Sequence, residues 1–180
     1  MPDFYSIDQK KKTFEYKCVC CNEFQRGTPA YGYDMPIFYF DVPEDEREAR
    51  IYLDADTCAI DNKLFFVKGI LDIPIHGASE PLTWGVWVSQ SVEEFHLYRE
   101  TMGTDRIGQI SFGWLAITMP GYNDLDERGN TVQLKCDVKG QAAGQRPVIQ
   151  VQECDHPLYR DQYDGISWDR AVELVQLMPH

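Results

Sequence analysis

The sequence contains no long apolar run. No segment reaches the roughly 18 uncharged apolar residues that a membrane-spanning helix needs. The first twelve residues, MPDFYSIDQKKK, have no apolar stretch of the length found in a secretory signal peptide. We therefore expect a cytoplasmic protein. Because thiols stay reduced in the cytoplasm, we expect the six cysteines to be free thiols or metal ligands rather than disulfides.

Basic residues are scarce. The 180 residues include 17 Lys and Arg against 29 Asp and Glu, which gives a net charge of -12. Binding to nucleic acid or to an anionic membrane needs a basic surface, so this composition argues against both. It favours solubility and long-range attraction to a protein partner with a basic surface. The alternative is an acidic protein whose charges are simply solvated.

Known catalytic motifs are also absent. The sequence has no phosphate-binding loop, GxGxxG, HExxH or GxSxG pattern. Cys154 and His156 stand two residues apart, a spacing that would suit a Cys/His nucleophile pair. However, Pro157 follows them, and this order predicts that Asp155 and His156 cap a helix. We therefore predict no catalytic residue and favour a protein that is not an enzyme.

Half of a metal-binding motif is present. Cys18-x-x-Cys21 places two thiolates where both can bind one tetrahedral zinc ion from a tight turn. A second such pair is missing, so the other ligands would have to come from Cys20, Cys58, Cys136, Cys154 or His156. The alternative is a set of reduced thiols that pack as small apolar residues. A structural zinc ion is the only cofactor that the sequence suggests.

The densest apolar and aromatic stretch covers residues 58–98. Two strand-like segments, 64–75 and 82–89, are joined by a short turn and predict a hairpin. The second segment is apolar on both faces, which is typical of a strand covered on both sides. Ser91 and Glu94 fit a capping box, so a helix should follow directly. Four residues of the strand-like runs are predicted to be buried: Phe66, Trp84, Val86 and Trp114.

Period-two alternation and short apolar runs predict further strands. They lie at residues 14–17, 37–40, 50–53, 110–117, 132–138 and 147–152. Start signals predict helices at residues 43–49 and 157–163, and a last helix that Ser167 caps. This order indicates an α+β fold with a mainly antiparallel sheet, and with helices after the central hairpin and at the C-terminus. Residues 1–180 are predicted to form one domain, with 1–12 as a loose arm or short helix.

Several short segments, in one order over nearly the whole chain, carry a family resemblance. They are Cys18-x-x-Cys21, Cys58-x-Ile60-Asp61, Phe65-Phe66-Val67-Lys68-Gly69, Trp84-Gly85-Val86-Trp87-Val88-Ser89, Phe112-Gly113-Trp114-Leu115, Arg146-Pro147 and Asp155-His156-Pro157-Leu158. In these segments the chain resembles an uncharacterised bacterial family, the domain-of-unknown-function family numbered twenty-one ninety-nine. The resemblance implies a compact cytosolic bacterial protein. It implies no particular activity, because the family has none established.

Two classes of function follow from these observations. The first is a non-enzymatic binding protein, in concrete form an immunity-type protein that neutralises a toxin by blocking its active site. The second is a metal-binding protein or an enzyme that uses the region of Cys18 and Cys21.

For the first class, the acidic clusters should form the rim of the interface and an exposed aromatic residue its centre. The predicted docking residues are Glu44, Asp45, Glu46, Tyr122, Asp124, Asp126 and Glu127, with Tyr122 as the aromatic centre. The alternative is that residues 121–130 form a solvated loop without a partner.

Overall fold

The computed structural model describes residues 5–8, 13–17, 22–27, 30–122 and 131–177. The strands are β1 (Tyr5–Asp8), β2 (Thr13–Lys17), β3 (Phe24–Arg26), β4 (Ala30–Gly32), β5 (Ile51–Leu53), β6 (Thr57–Ile60), β7 (Leu64–Ile73), β8 (Leu82–Gln90), β9 (Ile110–Trp114), β10 (Lys135–Lys139) and β11 (Val148–Val151). The α-helices are α1 (Arg47–Arg50), α2 (Val92–Thr101), α3 (Pro157–Asp164) and α4 (Trp168–Gln176). Short 3-10 helices cover Ile37–Asp41 and Glu44–Glu46. The predicted α+β class is confirmed.

The strands form two sheets. A small antiparallel sheet has the order β1-β2-β3, and a large sheet has the order β4-β8-β7-β11-β10-β9, to which β6 and β5 are added beside β7. Most neighbouring strands are antiparallel, while β11 with β7 and β4 with β8 are parallel. The longest ladder is the β7–β8 hairpin, which the sequence predicted. The large sheet is therefore mainly antiparallel, as expected.

The large sheet curls back on itself. Just beyond β9, Leu115 forms an antiparallel bridge with Val88 of β8. One residue earlier, the amide of Trp114 donates a hydrogen bond to Ser89 Oγ at 3.0 Å. Gly113 permits this approach, because a Cβ atom there would lie 2.4 Å from the carbonyl oxygen of Ser89. We call this junction between β8 and β9 the seam.

The core lies between the inner face of the curled sheet and the helices. Phe66, Trp84 and Val86 are buried, as predicted. On α2, the Phe95 ring packs against Phe65 with the ring centroids 4.9 Å apart. The apolar side of α4 is buried through Ala171, Val172, Leu174 and Val175. Among the helices that the structure describes, none has the length and apolar character to cross a membrane.

The prediction that Trp114 is buried is wrong, because its side chain is 41% exposed. Successive side chains of a strand point to opposite faces. In β9 the small residue Gly113 faces inward, whereas Phe112 and Trp114 point outward into solvent. The apolar run did not show which face the tryptophan would take.

Two local predictions also need correction. Residues 37–40 were predicted as a strand but lie in the 3-10 helix Ile37–Asp41, where the amide of Tyr39 donates to the Pro36 carbonyl at 3.0 Å. Pro36 stands at the start of this turn, and proline there favours the first turn of a helix over pairing in a sheet. Within the predicted N-terminal arm, Tyr5–Asp8 forms a strand because it pairs with β2. The pairing partner is not visible from the arm alone.

Three of the predicted helix caps, Ser91, His156 and Ser167, are confirmed, whereas Asp155 pairs with Arg160. Ser91 Oγ accepts the amide of Glu94 at 3.2 Å, and Ser167 starts α4 in the same way. His156 Nδ1 accepts the amide of Leu158 at 3.1 Å at the start of α3. Side chains that accept the free amides of a first turn stabilise the helix end. His156 therefore has the structural role that its position before Pro157 predicts.

Candidate functional site

An apolar groove of about 470 Å³ lies beside the seam. Its walls come from the 3-10 helix Ile37–Asp41, the start of β7, and the ends of β8 and β9. The lining residues are Phe38, Lys63, Leu64, Phe65, Phe66, Ser89, Gln90, Trp114, Leu115 and Gln133. We call this cavity the seam groove.

Large apolar side chains are exposed along the seam groove. Leu64 is 47% exposed and Trp114 is 41% exposed. Phe38, which also lines the groove, stacks on the buried ring of Phe66 at a centroid distance of 5.5 Å. Phe112 meets Trp114 edge to face at 5.2 Å and extends the apolar surface outward. Contiguous apolar surface of this kind marks interaction sites on proteins.

Polar groups at the seam are held in place by hydrogen bonds. Gln90 Nε2 donates to the Phe112 carbonyl at 3.0 Å, and Gln90 Oε1 accepts from Ser111 Oγ at 2.7 Å. The Lys135 ammonium lies 5.7 Å from the centre of the Trp114 ring. Beside the apolar side chains, the described lining residues include the amides of Gln90 and Gln133, the hydroxyl of Ser89 and the ammonium of Lys63. The groove thus offers an apolar surface with polar edges, which suits binding.

The acidic segment Glu44–Glu46 is linked through Arg50 to Asp61, in the turn before β7. Glu46 Oε2 accepts a hydrogen bond from Arg50 at 2.5 Å, and Arg50 also pairs with Asp61 at 2.6 Å. Asp61 stands two residues before Lys63 of the seam groove. Hydrogen bonding from Arg50 holds the pKa of the Asp61 carboxyl below its ordinary value.

The three residues of this acidic segment, Glu44, Asp45 and Glu46, are all exposed. Glu46 is paired with Arg50. Within the residues that the structure describes, Glu44 and Asp45 form no ion pair, so their full charges face solvent. We call Glu44, Asp45 and Glu46 the acidic turn.

Comparison with known proteins decides the family. The model of a family described as "Uncharacterized protein conserved in bacteria (DUF2199)" matches residues 17–166. The chain belongs to the DUF2199 family. Its resemblance to that family, noted from short segments of the sequence, is thereby confirmed. A comparison with curated proteins found no match, and no solved structure matches the chain either.

The DUF2199 match includes every residue that lines the seam groove. The family description states no activity, so it supplies no substrate or partner. Sequence reasoning missed Leu64, Gln90 and Trp114 as site residues. One signal was available for the tryptophan: in β9 the large residues Ile110, Phe112 and Trp114 alternate with the small residues Ser111 and Gly113. That alternation is typical of a strand with its large side chains turned outward.

Tyr122 does not have the exposed position that its role as an interface centre requires. Its side chain is buried, and its hydroxyl donates a hydrogen bond to Asp161 Oδ2 at 2.8 Å. The Arg170 guanidinium lies over the ring at 5.2 Å and donates to the Gly121 carbonyl at 2.8 Å. Burial and the neighbouring Asp161 raise the pKa of Tyr122 well above its ordinary value. The expectation of exposure is wrong because this turn packs onto α3 and α4.

The other predicted docking residues of this region, Asp124, Asp126 and Glu127, lie outside the described residues. The described residues on either side of this segment are held by hydrogen bonds. Tyr122 is fixed on one side, and on the other Thr131 is buried and donates from Oγ1 to the Ile117 carbonyl at 2.7 Å.

The predicted metal ligands Cys18 and Cys21 also lie outside the described residues. Two of the cysteines considered as further ligands, Cys58 and Cys136, are buried in the core. Burial raises the pKa of each thiol to about 12, which disfavours the thiolate that zinc binds. Across the part of this DUF2199 protein that the structure describes, no three His, Cys, Asp or Glu side chains are grouped to hold a metal ion.

Proposed function

We propose that this DUF2199 protein is a non-enzymatic binding protein of the cytoplasm. Its seam groove receives an apolar side chain of a protein partner, and the acidic turn attracts the basic surface around that side chain. The observation that carries the proposal is the exposed pair Leu64 and Trp114, which faces an apolar groove in a chain with a net charge of -12.

The arrangement matches the usual anatomy of a protein interface. Binding energy concentrates in a few apolar or aromatic residues near the centre, and tryptophan is enriched among them. Charges at the rim mainly raise the association rate. Trp114 supplies such a centre, while Glu44 and Asp45 supply a negative rim. The site proposed from sequence is thus moved from Tyr122 to Trp114, and the acidic turn keeps its predicted role.

The concrete form of the proposal is an immunity-type protein whose partner is a toxin. Active sites that bind nucleic-acid phosphates are basic. An acidic protein that inserts no catalytic group but covers such a site would block it. The apolar lining of the seam groove, with Leu64 and Trp114 exposed, agrees with a blocking role.

The test is affinity capture from the native bacterial host at low salt, with three forms of the protein compared. The wild type and Tyr163→Ala should recover the same stoichiometric partner, and Trp114→Ala should lose it. Tyr163 is a matched control because it is an exposed aromatic residue on α3, outside the seam groove. Failure to recover any stoichiometric partner, or equal capture by Trp114→Ala, would refute the proposal.

A further inference from the structure

A second pocket, of about 270 Å³, lies between α2 and the turn that leads into β9. We call it the α2 pocket. Its walls come from one side of α2, from residues 106–111 and from the end of β10. Of the described residues that line it, only Gln90 also lines the seam groove. The α2 pocket is therefore a cavity separate from the proposed partner site.

Two opposite charges line the α2 pocket. Glu94 comes from α2 and Arg106 from the turn before β9, and both side chains are half-buried. Within the residues that the structure describes, they form no ion pair with each other or with any third residue. A charge that is partly withdrawn from water is stabilised by an opposite charge at close range. The pocket therefore offers one such place for an anion and one for a cation.

Arg106 is held against the wall of the pocket. Its guanidinium carbon lies 4.9 Å from the centre of the buried Tyr98 ring, and its Nε donates to Gln109 Oε1 at 3.0 Å. Tyr98 and Gln109 both line the pocket. The turn itself is fixed to the chain after β10, because the amide of Arg106 donates to the Gln141 carbonyl at 2.9 Å. The two Nη groups of Arg106 donate to no residue that the structure describes, and such a fork suits a carboxylate.

The Glu94 carboxylate has no role in the helix cap, where Ser91 Oγ accepts only the Glu94 backbone amide. In the described part of the chain this carboxylate accepts no hydrogen bond. Glu94 stands four residues before Tyr98, and residues at this spacing on a helix have Cβ atoms about 5–6 Å apart on one face. Since Arg106 lies over Tyr98, the two charges are neighbours in the pocket. They are therefore placed to contact one small molecule that carries both charges.

We propose that the α2 pocket binds a small apolar α-amino acid. The carboxylate of the ligand accepts from Arg106, and its ammonium donates to Glu94. Its side chain packs on the apolar part of the lining, which includes Ile110 and Val138. A ligand with only one charge would leave Glu94 or Arg106 unpaired. This site does not depend on the proposed partner site at the seam groove.

The probe for this site is L-leucine, titrated into isotope-labelled protein and followed by NMR. The amides of Leu97, Gln109 and Ser111 should shift in a saturable way. Two analogues each lack one charge: 4-methylpentanoate has no ammonium, and 3-methylbutylamine has no carboxylate. Each should bind more weakly than leucine by about tenfold or more, since each loses a hydrogen-bonded ion pair. Equal binding of either analogue, or no saturable shift with leucine, would overturn the proposal.

Variants assign each charge of the ligand to its partner. Glu94→Gln should weaken leucine binding by about tenfold or more and leave 4-methylpentanoate binding unchanged. Arg106→Met should weaken leucine binding equally and leave 3-methylbutylamine binding unchanged. Glu100→Gln is the matched control, because Glu100 is an exposed acid of α2 outside the pocket, and it should bind leucine like the wild type. Unchanged leucine binding in Glu94→Gln or Arg106→Met would also overturn the proposal.

Discussion

At the residue scale, a single hydroxyl joins three parts of the chain. The hydroxyl of Tyr122 donates to Asp161 of α3, and Arg170 of α4 lies over the same ring. Tyr122→Phe leaves the buried side of the Asp161 carboxylate without its closest donor, because Arg170 Nε is 3.7 Å away. A hydrogen bond to a charged group contributes roughly 1.5–3 kcal/mol. We expect Tyr122→Phe to lower the free energy of unfolding by about that amount.

Urea denaturation measures this change as a lower midpoint with an unchanged slope. Tyr163→Phe is the matched control, because the Tyr163 side chain is 71% exposed and its loss of a hydroxyl should have no effect. Equal midpoints for Tyr122→Phe and the wild type would contradict the role given to the hydroxyl.

The two tryptophans Trp84 and Trp114 should respond very differently to truncation. Trp84 is fully buried, so Trp84→Ala should cost roughly 3–5 kcal/mol, as core aromatic truncations do. Trp114 is 41% exposed and leaves no closed cavity, so Trp114→Ala should cost about 1 kcal/mol or less. Melting temperatures of the two variants provide the measurement. A large loss of stability in Trp114→Ala would instead indicate that Trp114 belongs to the core, as the sequence predicted.

At the scale of elements, the sequence predicted those elements that are stabilised by residues close together along the chain. The β7–β8 hairpin and the three capped helices depend on residues close in sequence, such as Ser91 with Glu94. The sequence could not predict the bridge of Leu115 to Val88, since its partners are far apart along the chain. The seam groove arises from that bridge. Its residues were therefore missed, whereas the acidic turn was visible as a cluster of charges.

The seam depends on close backbone approach at Gly113. A Cβ atom there would lie 2.4 Å from the Ser89 carbonyl oxygen and 3.0 Å from Gln90 Nε2. Because the nearest atom belongs to the backbone, Gly113→Ala must push β8 and β9 apart. Overpacking of this kind costs roughly 1–3 kcal/mol. We expect a lower melting temperature and weaker binding of the partner at the seam groove.

Gly103→Ala is the matched control for that change. Nothing lies within 4 Å of a Cβ atom at Gly103, so this variant should melt at or above the wild-type temperature. If Gly113→Ala melts at the same temperature as Gly103→Ala, the close approach of β8 and β9 is not as described.

At the scale of the whole molecule, buried thiols link stability to pH. The pKa values of Cys58 and Cys136 are raised from 9.0 to about 12, mainly by burial. Above pH 9 the unfolded chain loses these protons while the folded protein keeps them. Stability from this source is therefore complete below pH 9 and is lost as the pH rises toward 12. The slope should approach at most about 1.4 kcal/mol per pH unit for each thiol.

Denaturant unfolding at a series of pH values measures this slope. The double variant Cys58→Ala with Cys136→Ala should show a shallower decline between pH 9 and 10 than the wild type. Cys154→Ala, which removes an exposed thiol, provides the control. Identical slopes in all three proteins would show that the buried thiols do not control alkaline stability.

From the net charge of -12 we also predict how fast a partner associates. Rim charges act over a screening length of about 8–10 Å at physiological salt, and they chiefly change the association rate. Glu44→Lys with Asp45→Lys reverses two exposed charges of the acidic turn. With the captured partner, this variant should associate more slowly at low salt and nearly normally at high salt. Trp114→Ala should instead dissociate faster at every salt concentration, because an apolar contact is not screened.

Surface plasmon resonance at several salt concentrations separates the two rates. Glu93→Lys with Glu94→Lys is the matched control, since this pair stands on α2 and makes the same change in net charge. If the control slows association as much as the acidic-turn variant, the total charge rather than the acidic turn governs the encounter. If salt changes the dissociation rate of Trp114→Ala as strongly as it changes the association rate of the wild type, the seam groove is not the apolar centre of the interface.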